Sequence, residues 1–208
     1  MLFKRTVDIS ISMLALVLLL PVFLIIAAAI KLSSPGPVFY VQQRAGRFAK
    51  AFDMIKFRSM VIGAEKKEAG VFVEDNDPRI TRVGRFLRTY SFDELPQLIN
   101  VLKGEMSLVG PRPTLPYQVE RYDECQKRRL DMKPGITGWA QINGRNALTW
   151  PEKIDLDLWY IDNWSFWLDI KIIFRTFFVV LHKENLNTGP TGDEISNPGI
   201  NGNNGLPM

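Results

Sequence analysis

Residues 11–30 read ISMLALVLLLPVFLIIAAAI, an apolar stretch without a single charged side chain. A helix of about 20 apolar residues is long enough to cross the hydrocarbon core of a bilayer. The stretch is longer than the apolar region of a usual signal peptide, and no small-residue cleavage site follows it. It therefore predicts a membrane anchor, and the rest of the chain is interpreted as the part that this anchor holds at the membrane.

The flanks and the centre of this stretch indicate how it lies in the bilayer. Lys4 and Arg5 precede it and Lys31 follows it, so the positive-inside tendency draws both ends toward the cytoplasm. Pro21, at the midpoint, lacks a backbone N–H and clashes with the preceding turn, which favours a break. We therefore predict a re-entrant helix–break–helix over residues 1–32. Because prolines also occur in ordinary spanning helices, a spanning helix remains the alternative.

The composition limits the chemistry that the rest of the chain can perform. The chain has 208 residues, a formal net charge of +4, one cysteine and one histidine. Cys125 alone excludes an intramolecular disulfide, and with His182 as the only histidine neither a zinc site nor a histidine-based triad is expected. Catalysis must then rest on carboxylates, lysines or arginines. The positive charge indicates an anionic partner, such as a phosphorylated substrate, an anionic membrane or nucleic acid.

Two short strands are predicted where the chain leaves the apolar stretch. Residues 38–41 and 52–60 combine apolar and alternating polar positions, and a Pro- and Gly-rich turn precedes the first of them. Lys56 and Arg58 fall on one face of the second strand, because side chains alternate along a strand. The pair could hold a phosphate group, although a solvated strand face explains it as well.

Residues 80–113, ITRVGRFLRTYSFDELPQLINVLKGEMSLVGPRP, carry the most informative pattern of the chain. Arg82, Arg85 and Arg88 recur every three residues and therefore share one face of a predicted helix. Guanidinium groups aligned in this way suit an anionic head group or a pyrophosphate.

Two adjacent acids follow this cationic face. Ser91 and Glu94 have the spacing of a capping box that begins a helix, and Asp93 would lie near the positive end of its dipole. Helix capping alone would explain these residues. A carboxylate held ionised beside a cationic face is also a competent nucleophile or metal ligand, so a catalytic role is the second interpretation.

Further arginines are presented from rigid turns. Arg112 lies between two prolines in the sequence GPRP, and Arg145 follows the dipeptide Asn143–Gly144. A restrained backbone reduces the entropy that a guanidinium loses when it binds phosphate. Each arginine alone could be a surface residue, but together they favour a phosphate-binding site.

The C-terminal part adds aromatic and apolar segments. Residues 154–161, IDLDLWYI, place Asp157 near Trp159 and Tyr160, which either cover the site or pack in the core. Residues 164–181 are rich in aromatic side chains with sparse charges and predict a helix lying in the membrane interface, with a core helix as the alternative. The Asn-, Gly- and Pro-rich residues 185–208 are expected to be disordered.

Taken together, these motifs identify a family resemblance. The proline-interrupted apolar segment, SPGPVFYVQQR, IKFRSM, SFDELPQLINVLKGEMSLVGPRP and KPGITGWAQINGR closely resemble the small monotopic phosphoglycosyl transferases. The resemblance covers the chain from about Lys4 to about Lys183. It implies an α/β fold, with a compact catalytic domain over residues 33–184 on the cytoplasmic face of the bacterial inner membrane, a re-entrant anchor that breaks at Pro21, and interfacial amphipathic helices. Leu20 stands where many members of the family have a serine.

The resemblance also assigns site residues. Asp93 and Glu94 match the catalytic dyad of the family, with Asp93 as the nucleophile and the expected ligand of Mg²⁺. Substrate-binding positions are matched by Arg88, Arg112, Arg145, Lys56 and Asp157.

The implied reaction transfers a sugar-1-phosphate to a membrane lipid. The donor is a nucleotide diphosphate sugar, with a UDP-sugar expected, and the acceptor is polyprenyl (undecaprenyl) phosphate. A phosphosugar–aspartyl intermediate connects the two half-reactions, and the products are UMP and a polyprenyl diphosphate sugar, as in the first membrane step of glycoconjugate assembly. The alternative function is a membrane-anchored scaffold that binds anionic lipids without catalysis. A homodimer through the soluble body is compatible with the sequence, and no nucleic-acid partner is expected.

Overall fold

A long N-terminal helix and a mixed body of helices and short strands make up the fold. The structure is a computed structural model, and it describes residues 2–64 and 77–182. The predicted disordered tail over residues 185–208 lies outside the described residues. Helix α1 runs over Leu2–Ser33. The other α-helices are α2 (Arg82–Thr89), α3 (Gln97–Lys103), α4 (Pro116–Val119), α5 (Glu124–Lys127), α6 (Trp139–Ile142), α7 (Trp150–Asp162) and α8 (Phe166–Leu181).

The strands form two small sheets. Strand β1 (Phe39–Ala45) pairs antiparallel with β2 (Ala51–Phe57), so that Tyr40 lies opposite Lys56. Strand β3 (Ser107–Val109) pairs in parallel with β4 (Gly135–Thr137). The strands predicted over residues 38–41 and 52–60 are thus confirmed as a hairpin, although the second strand ends at Phe57. The resulting fold is a mixed helix and sheet structure, as the predicted α/β class requires.

The predicted break at Pro21 is absent, because helix α1 is continuous from Leu2 to Ser33 with Pro21 inside it. A proline removes one N–H donor and clashes with the carbonyl four residues earlier, here that of Val17. The turns on both sides are rich in leucine and alanine, which favour the helix, and they retain their own hydrogen bonds. Helical conformation therefore persists through the proline, and the helix–break–helix prediction is not confirmed by the secondary structure.

Among the described residues, α1 is the one helix that is long and apolar enough to cross a membrane. Only 11% of its most apolar 18-residue window is buried in the protein. A helix of a soluble core would instead be covered over most of this length. The exposure of Leu14, Leu18 and Leu24 therefore agrees with the prediction of a membrane-embedded segment.

Both ends of α1 are attached to the body. Near its beginning, the ammonium of Lys4 forms a buried ion pair of 2.5 Å with Asp169 of α8. One turn later, the Asp8 carboxylate accepts hydrogen bonds from the hydroxyl of Ser107 at 2.8 Å and from the backbone N–H of Leu108.

Near its end, α1 contributes Ile26 and Ile30 to an apolar cluster with Phe57 and Leu87. The exposed apolar section of the helix therefore lies between two attachments to the same body.

The backbone of helix α2 packs directly against the backbone of the segment that follows β2. A Cβ atom on Gly84 would come within 1.8 Å of the carbonyl oxygen of Ser59. Only glycine allows this approach, and Thr81 caps α2 by accepting a hydrogen bond from the Gly84 N–H. The position of α2 relative to the hairpin is therefore set by the backbone.

Helix α8 presents an exposed apolar face. Trp167, Phe174 and Phe177 are exposed, whereas Ile172 and Val179 are buried in the core with Tyr160. A helix with one buried and one exposed apolar face agrees with the predicted interfacial helix better than with a wholly buried one.

Candidate active site

One large cleft contains most of the residues that the sequence indicated as functional. Its cavity volume is about 1040 Å³. It opens between the β1–β2 hairpin, α2, the segment that follows α2, and α7. All of the predicted catalytic and substrate-binding residues line it, namely Lys56, Arg88, Asp93, Glu94, Arg112, Arg145 and Asp157. Arg85 also lines the cleft, while Arg82, the third arginine of the predicted face, does not.

Glu94 is held by two cations. One of its carboxylate oxygens accepts hydrogen bonds from the ammonium of Lys56 at 2.7 Å and from the guanidinium of Arg112 at 2.8 Å. Burial alone would raise the pKa of Glu94, but the charges of Arg112 and Lys56 and the hydrogen bonds they donate hold this pKa well below its ordinary value. Glu94 is therefore an ionised carboxylate whose charge is already neutralised by the protein.

The Asp93 carboxylate differs from that of Glu94 in its hydrogen bonding and in the direction of its pKa shift. Only 8% of the residue is exposed, and no hydrogen bond reaches its carboxylate from the described part of the chain. Burial raises the pKa of Asp93, and the Glu94 charge acts in the same direction, against the nearby cations Lys56, Arg88 and Arg112. The dyad thus consists of one neutralised and one available carboxylate.

The predicted capping box at Ser91 is wrong. Residues Phe92–Glu94 form one turn of 3₁₀-helix, and the side chain of Ser91 makes no capping hydrogen bond to it. Ser91 has a left-handed backbone (φ 55°), and its hydroxyl accepts a hydrogen bond from Arg145 instead. The Glu94 side chain binds Lys56 and Arg112 instead of the backbone, because hydrogen bonds between two charged groups are stronger than a cap to a neutral N–H.

Arg145 reaches the same segment from the loop between α6 and α7. Its guanidinium donates a hydrogen bond of 2.9 Å to the hydroxyl of Ser91. Arg145 also has a left-handed backbone (φ 53°) and follows Gly144, which has φ 144°. Its second terminal nitrogen, Nη1, is buried and has no hydrogen-bond partner within the part of the chain that the structure describes. An arginine with an unused donor at a cleft wall is typical of an anion-binding position.

Asp157 is placed differently from the other predicted residues. It lies on α7, fully buried, and its carboxylate accepts a hydrogen bond of 2.6 Å from Nε of Arg129. Arg129 in turn donates to the hydroxyl of Tyr122 and to the backbone carbonyl of Arg112. Asp157 therefore acts on the cleft chiefly by holding Arg129 in place. Arg129 in turn fixes the backbone that carries Arg112.

Two arginines of the cleft, Arg129 and Arg44, were not predicted from the sequence. Arg129 lies in a basic run, in which only the fold distinguishes the buried Arg129 from its exposed neighbour Arg128. Arg44 lies on β1, and burial together with the nearby charge of Arg112 lowers its pKa to about 10. The alternation of side chains along a strand could have identified Arg44, because Tyr40, Gln42 and Arg44 lie on one face of β1 and all line the cleft.

The cleft therefore combines an available carboxylate with at least five cations, which is the composition of a site for phosphate groups. Within residues 2–64 and 77–182, no group of three or more His, Cys, Asp or Glu side chains could hold a metal ion by itself.

Comparison with known proteins identifies the class. Residues 1–183 match the family described as bacterial sugar transferase. The chain is 47% identical over 186 residues to the uncharacterized sugar transferase EpsL of Bacillus subtilis, covering 89% of this chain and 91% of that protein. It is 49% identical over 185 residues to the UDP-glucose:undecaprenyl-phosphate glucose-1-phosphate transferase of Escherichia coli, covering 85% of this chain but only 40% of that protein. It is 42% identical over 195 residues to the undecaprenyl-phosphate galactose phosphotransferase of Salmonella typhimurium, covering 87% of this chain and 41% of that protein.

The chain belongs to the bacterial sugar transferase family. It is an enzyme of the phosphoglycosyl transferase class, and the resemblance stated from the sequence is confirmed. The chain spans most of the Bacillus subtilis relative but less than half of the Escherichia coli and Salmonella typhimurium relatives.

Proposed function

We propose that the chain transfers a sugar-1-phosphate from a nucleotide diphosphate sugar, such as a UDP-sugar, to polyprenyl (undecaprenyl) phosphate. The observation that carries the proposal is the difference between the two acids: Glu94 is bound by Lys56 and Arg112, whereas the Asp93 carboxylate accepts no hydrogen bond from the described residues. The names of the Escherichia coli and Salmonella typhimurium relatives support the lipid acceptor.

In the first half-reaction, an oxygen of Asp93 attacks the phosphorus that carries the sugar. The new bond joins this oxygen to phosphorus, and the bond between this phosphorus and the bridging oxygen of the diphosphate breaks. The electron pair leaves with the nucleoside monophosphate, and the product is a phosphosugar–aspartyl intermediate. Arg88, Arg112 and Arg145 lie where their charges can stabilise the oxygens of the transferred group.

In the second half-reaction, the phosphate of the lipid attacks the same phosphorus. The bond to Asp93 breaks, so that the carboxylate is regenerated and a polyprenyl diphosphate sugar is released. Glu94 keeps Lys56 and Arg112 in place through both steps, because its pKa leaves it ionised across the neutral range. No further reactant is needed for either step.

Mg²⁺ is the proposed cofactor, with Asp93 as its protein ligand. Mg²⁺ is usually held by one or two carboxylates together with substrate phosphates and water, and a single available carboxylate in a phosphate-binding cleft fits this mode. When bound, the ion would neutralise charge on the diphosphate and lower the pKa of Asp93, which burial raises.

We further propose that α1 enters and leaves the bilayer on one side, which requires the helix to bend at Pro21 while remaining helical. A spanning helix would carry its first residues to the opposite surface, about 30 Å from the body. Lys4 and Asp8 are instead bound to α8 and β3, while Ile26 packs on the same body. The re-entrant topology is thus supported by the attachment of both ends, and the basic flanks favour the cytoplasmic face of the inner membrane.

Measurement of the first half-reaction alone tests the proposed chemistry. The protein in nanodiscs is mixed with Mg²⁺ and a panel of radiolabelled UDP-sugars in the absence of lipid acceptor, and UMP and protein-bound label are quantified after denaturation. We expect one UMP and one bound label per active site with an accepted donor. Asp93→Asn should abolish both signals, whereas Asp155→Asn, at an exposed acid on α7 outside the cleft, should retain them.

Two outcomes contradict the proposal. UMP release by Asp93→Asn at the native rate would remove Asp93 from the chemistry. UMP release that requires the lipid acceptor and leaves no label on the protein would replace the covalent route by direct transfer.

A further inference from the structure

Helix α2 carries two parallel stripes of different chemistry. Arg85, Arg88 and Thr89 line the cleft. Phe86 and Tyr90 lie four residues apart on the adjacent stripe and do not line it. A ligand with a charged end and an apolar end could therefore contact both stripes of this one helix.

The aromatic stripe is extended by Phe92. The ring centroids of Phe86 and Tyr90 are 5.0 Å apart, and those of Phe86 and Phe92 are 6.0 Å apart. Phe86 remains 55% exposed. Phe92 directly precedes Asp93 in the chain, so the aromatic cluster begins at the residue next to the available carboxylate.

The same cluster is continuous with the membrane-embedded helix. Phe92 packs against the apolar cluster to which Ile26 and Ile30 of α1 belong, and Val22 and Phe23 pack on that cluster too. The neighbouring residues Leu24 and Ile25 are exposed. An apolar surface therefore leads from the exposed section of α1 through Phe92 to Phe86.

We infer that the cluster of Phe86, Tyr90 and Phe92 binds the first isoprene units of the lipid phosphate acceptor, while its phosphate enters the cleft beside Arg85 and Arg88. This inference rests on the proposed function. Aromatic faces bind branched hydrocarbon by contact area without a requirement for hydrogen bonds. A sugar or a nucleobase can also stack on an aromatic ring, but it gains nothing from the continuous apolar surface that leads from this cluster to α1. The occupant that matches the whole surface is a hydrocarbon chain attached to an anion.

The test separates acceptor binding from donor chemistry. Native protein, Phe86→Ser and Phe86→Leu are compared in nanodiscs in two assays: UMP release without acceptor, and full turnover with polyprenyl phosphates of two, four and eleven isoprene units. Phe174→Ser is the matched control, because Phe174 is 68% exposed on α8, which contributes no residue to the cleft.

We expect all variants to perform the first half-reaction at a rate close to native. Phe86→Ser should raise the apparent KM for the acceptor about five- to tenfold, which corresponds to the loss of roughly half of the apolar contact of a phenyl ring. It should also weaken the dependence of this KM on acceptor length. Phe86→Leu should recover most of the loss, and Phe174→Ser should remain native in both assays.

Three results would overturn the inference. An unchanged acceptor KM in Phe86→Ser would show that the ring does not contact the acceptor. Equal increases in Phe86→Ser and Phe174→Ser would assign the effect to general contact with the bilayer. A slowed first half-reaction in Phe86→Ser would place the ring on the donor side, whereas native protein without any UMP release would remove the proposed function itself.

Discussion

The buried ion pair between Lys4 and Asp169 gives a direct measure of how firmly the beginning of α1 is attached to the body. The two charged groups are 2.5 Å apart, and their side chains are 10% and 8% exposed. Asp169 also accepts hydrogen bonds from the hydroxyl of Tyr160 at 2.6 Å and from the indole of Trp164 at 3.2 Å. Removing one member of a buried pair typically costs about 3–5 kcal/mol, because the other charge stays buried.

The two single variants should differ in size. Lys4→Met should lower the free energy of unfolding by about 3 kcal/mol, at the lower end of that range, because Asp169 keeps donors from Tyr160 and Trp164. Asp169→Leu should cost about 5 kcal/mol, because it leaves the ammonium of Lys4 without a partner. The double variant should be more stable than Asp169→Leu alone, since it contains no orphaned charge.

Thermal unfolding in detergent micelles, followed by tryptophan fluorescence, is a suitable assay. For a chain of this size, about 3 kcal/mol corresponds to a fall in Tm of roughly 6–12 °C. Lys31→Met provides the control, because Lys31 is an exposed cation near the other end of the same helix. If Lys4→Met and Lys31→Met had the same Tm, the pair would not hold α1 to the body, and the proposal that both ends lie on one side would lose its support.

Two further predictions concern the cleft. The pKa of Glu94 lies well below its ordinary value, so its stabilising effect is complete above the unfolded-state pKa and is lost as the pH falls through the folded-state pKa. In metal-free buffer, the stability difference between native protein and Glu94→Gln should therefore shrink on acidification, and a constant difference would contradict the ion pairs with Lys56 and Arg112. Arg129→Met should lower the free energy of unfolding by about 3–5 kcal/mol, because it leaves the buried carboxylate of Asp157 unpaired. Chemical unfolding checks this value, and an unchanged midpoint would show that Asp157 is neutral or solvated.

Much of the candidate site could be predicted from short segments of sequence. Arg88, Asp93 and Arg112 belong to one continuous stretch, and local rules give both the helical face of the arginines and the rigid setting of Arg112. The two strands of the hairpin were also predicted, because alternation and turn residues are local properties, whereas their pairing was not. These features depend on neighbours within a few positions, which a sequence displays directly.

The features that were missed depend on contacts between distant segments. Glu94 has the spacing of a helix cap, but Lys56 on β2 competes for it, and this ion pair joins residues 38 positions apart. Arg129 is held in the buried part of the cleft wall by its ion pair with Asp157, which lies 28 positions away. At Pro21, the local rule predicted a break, but the helix-forming residues on both sides outweighed it. Local propensity determines what a segment can form, and packing selects among the outcomes.

The hydrogen bond between Arg145 and Ser91 joins two non-glycine residues that both have left-handed backbones. Such a conformation costs about 1–2 kcal/mol per residue, which glycine would avoid. Replacement of either residue by glycine would thus relieve strain while removing a group from the cleft. Selection for thermal stability alone, as in a directed-evolution screen that scores only folded protein, would favour glycine at both positions and yield robust but inactive variants.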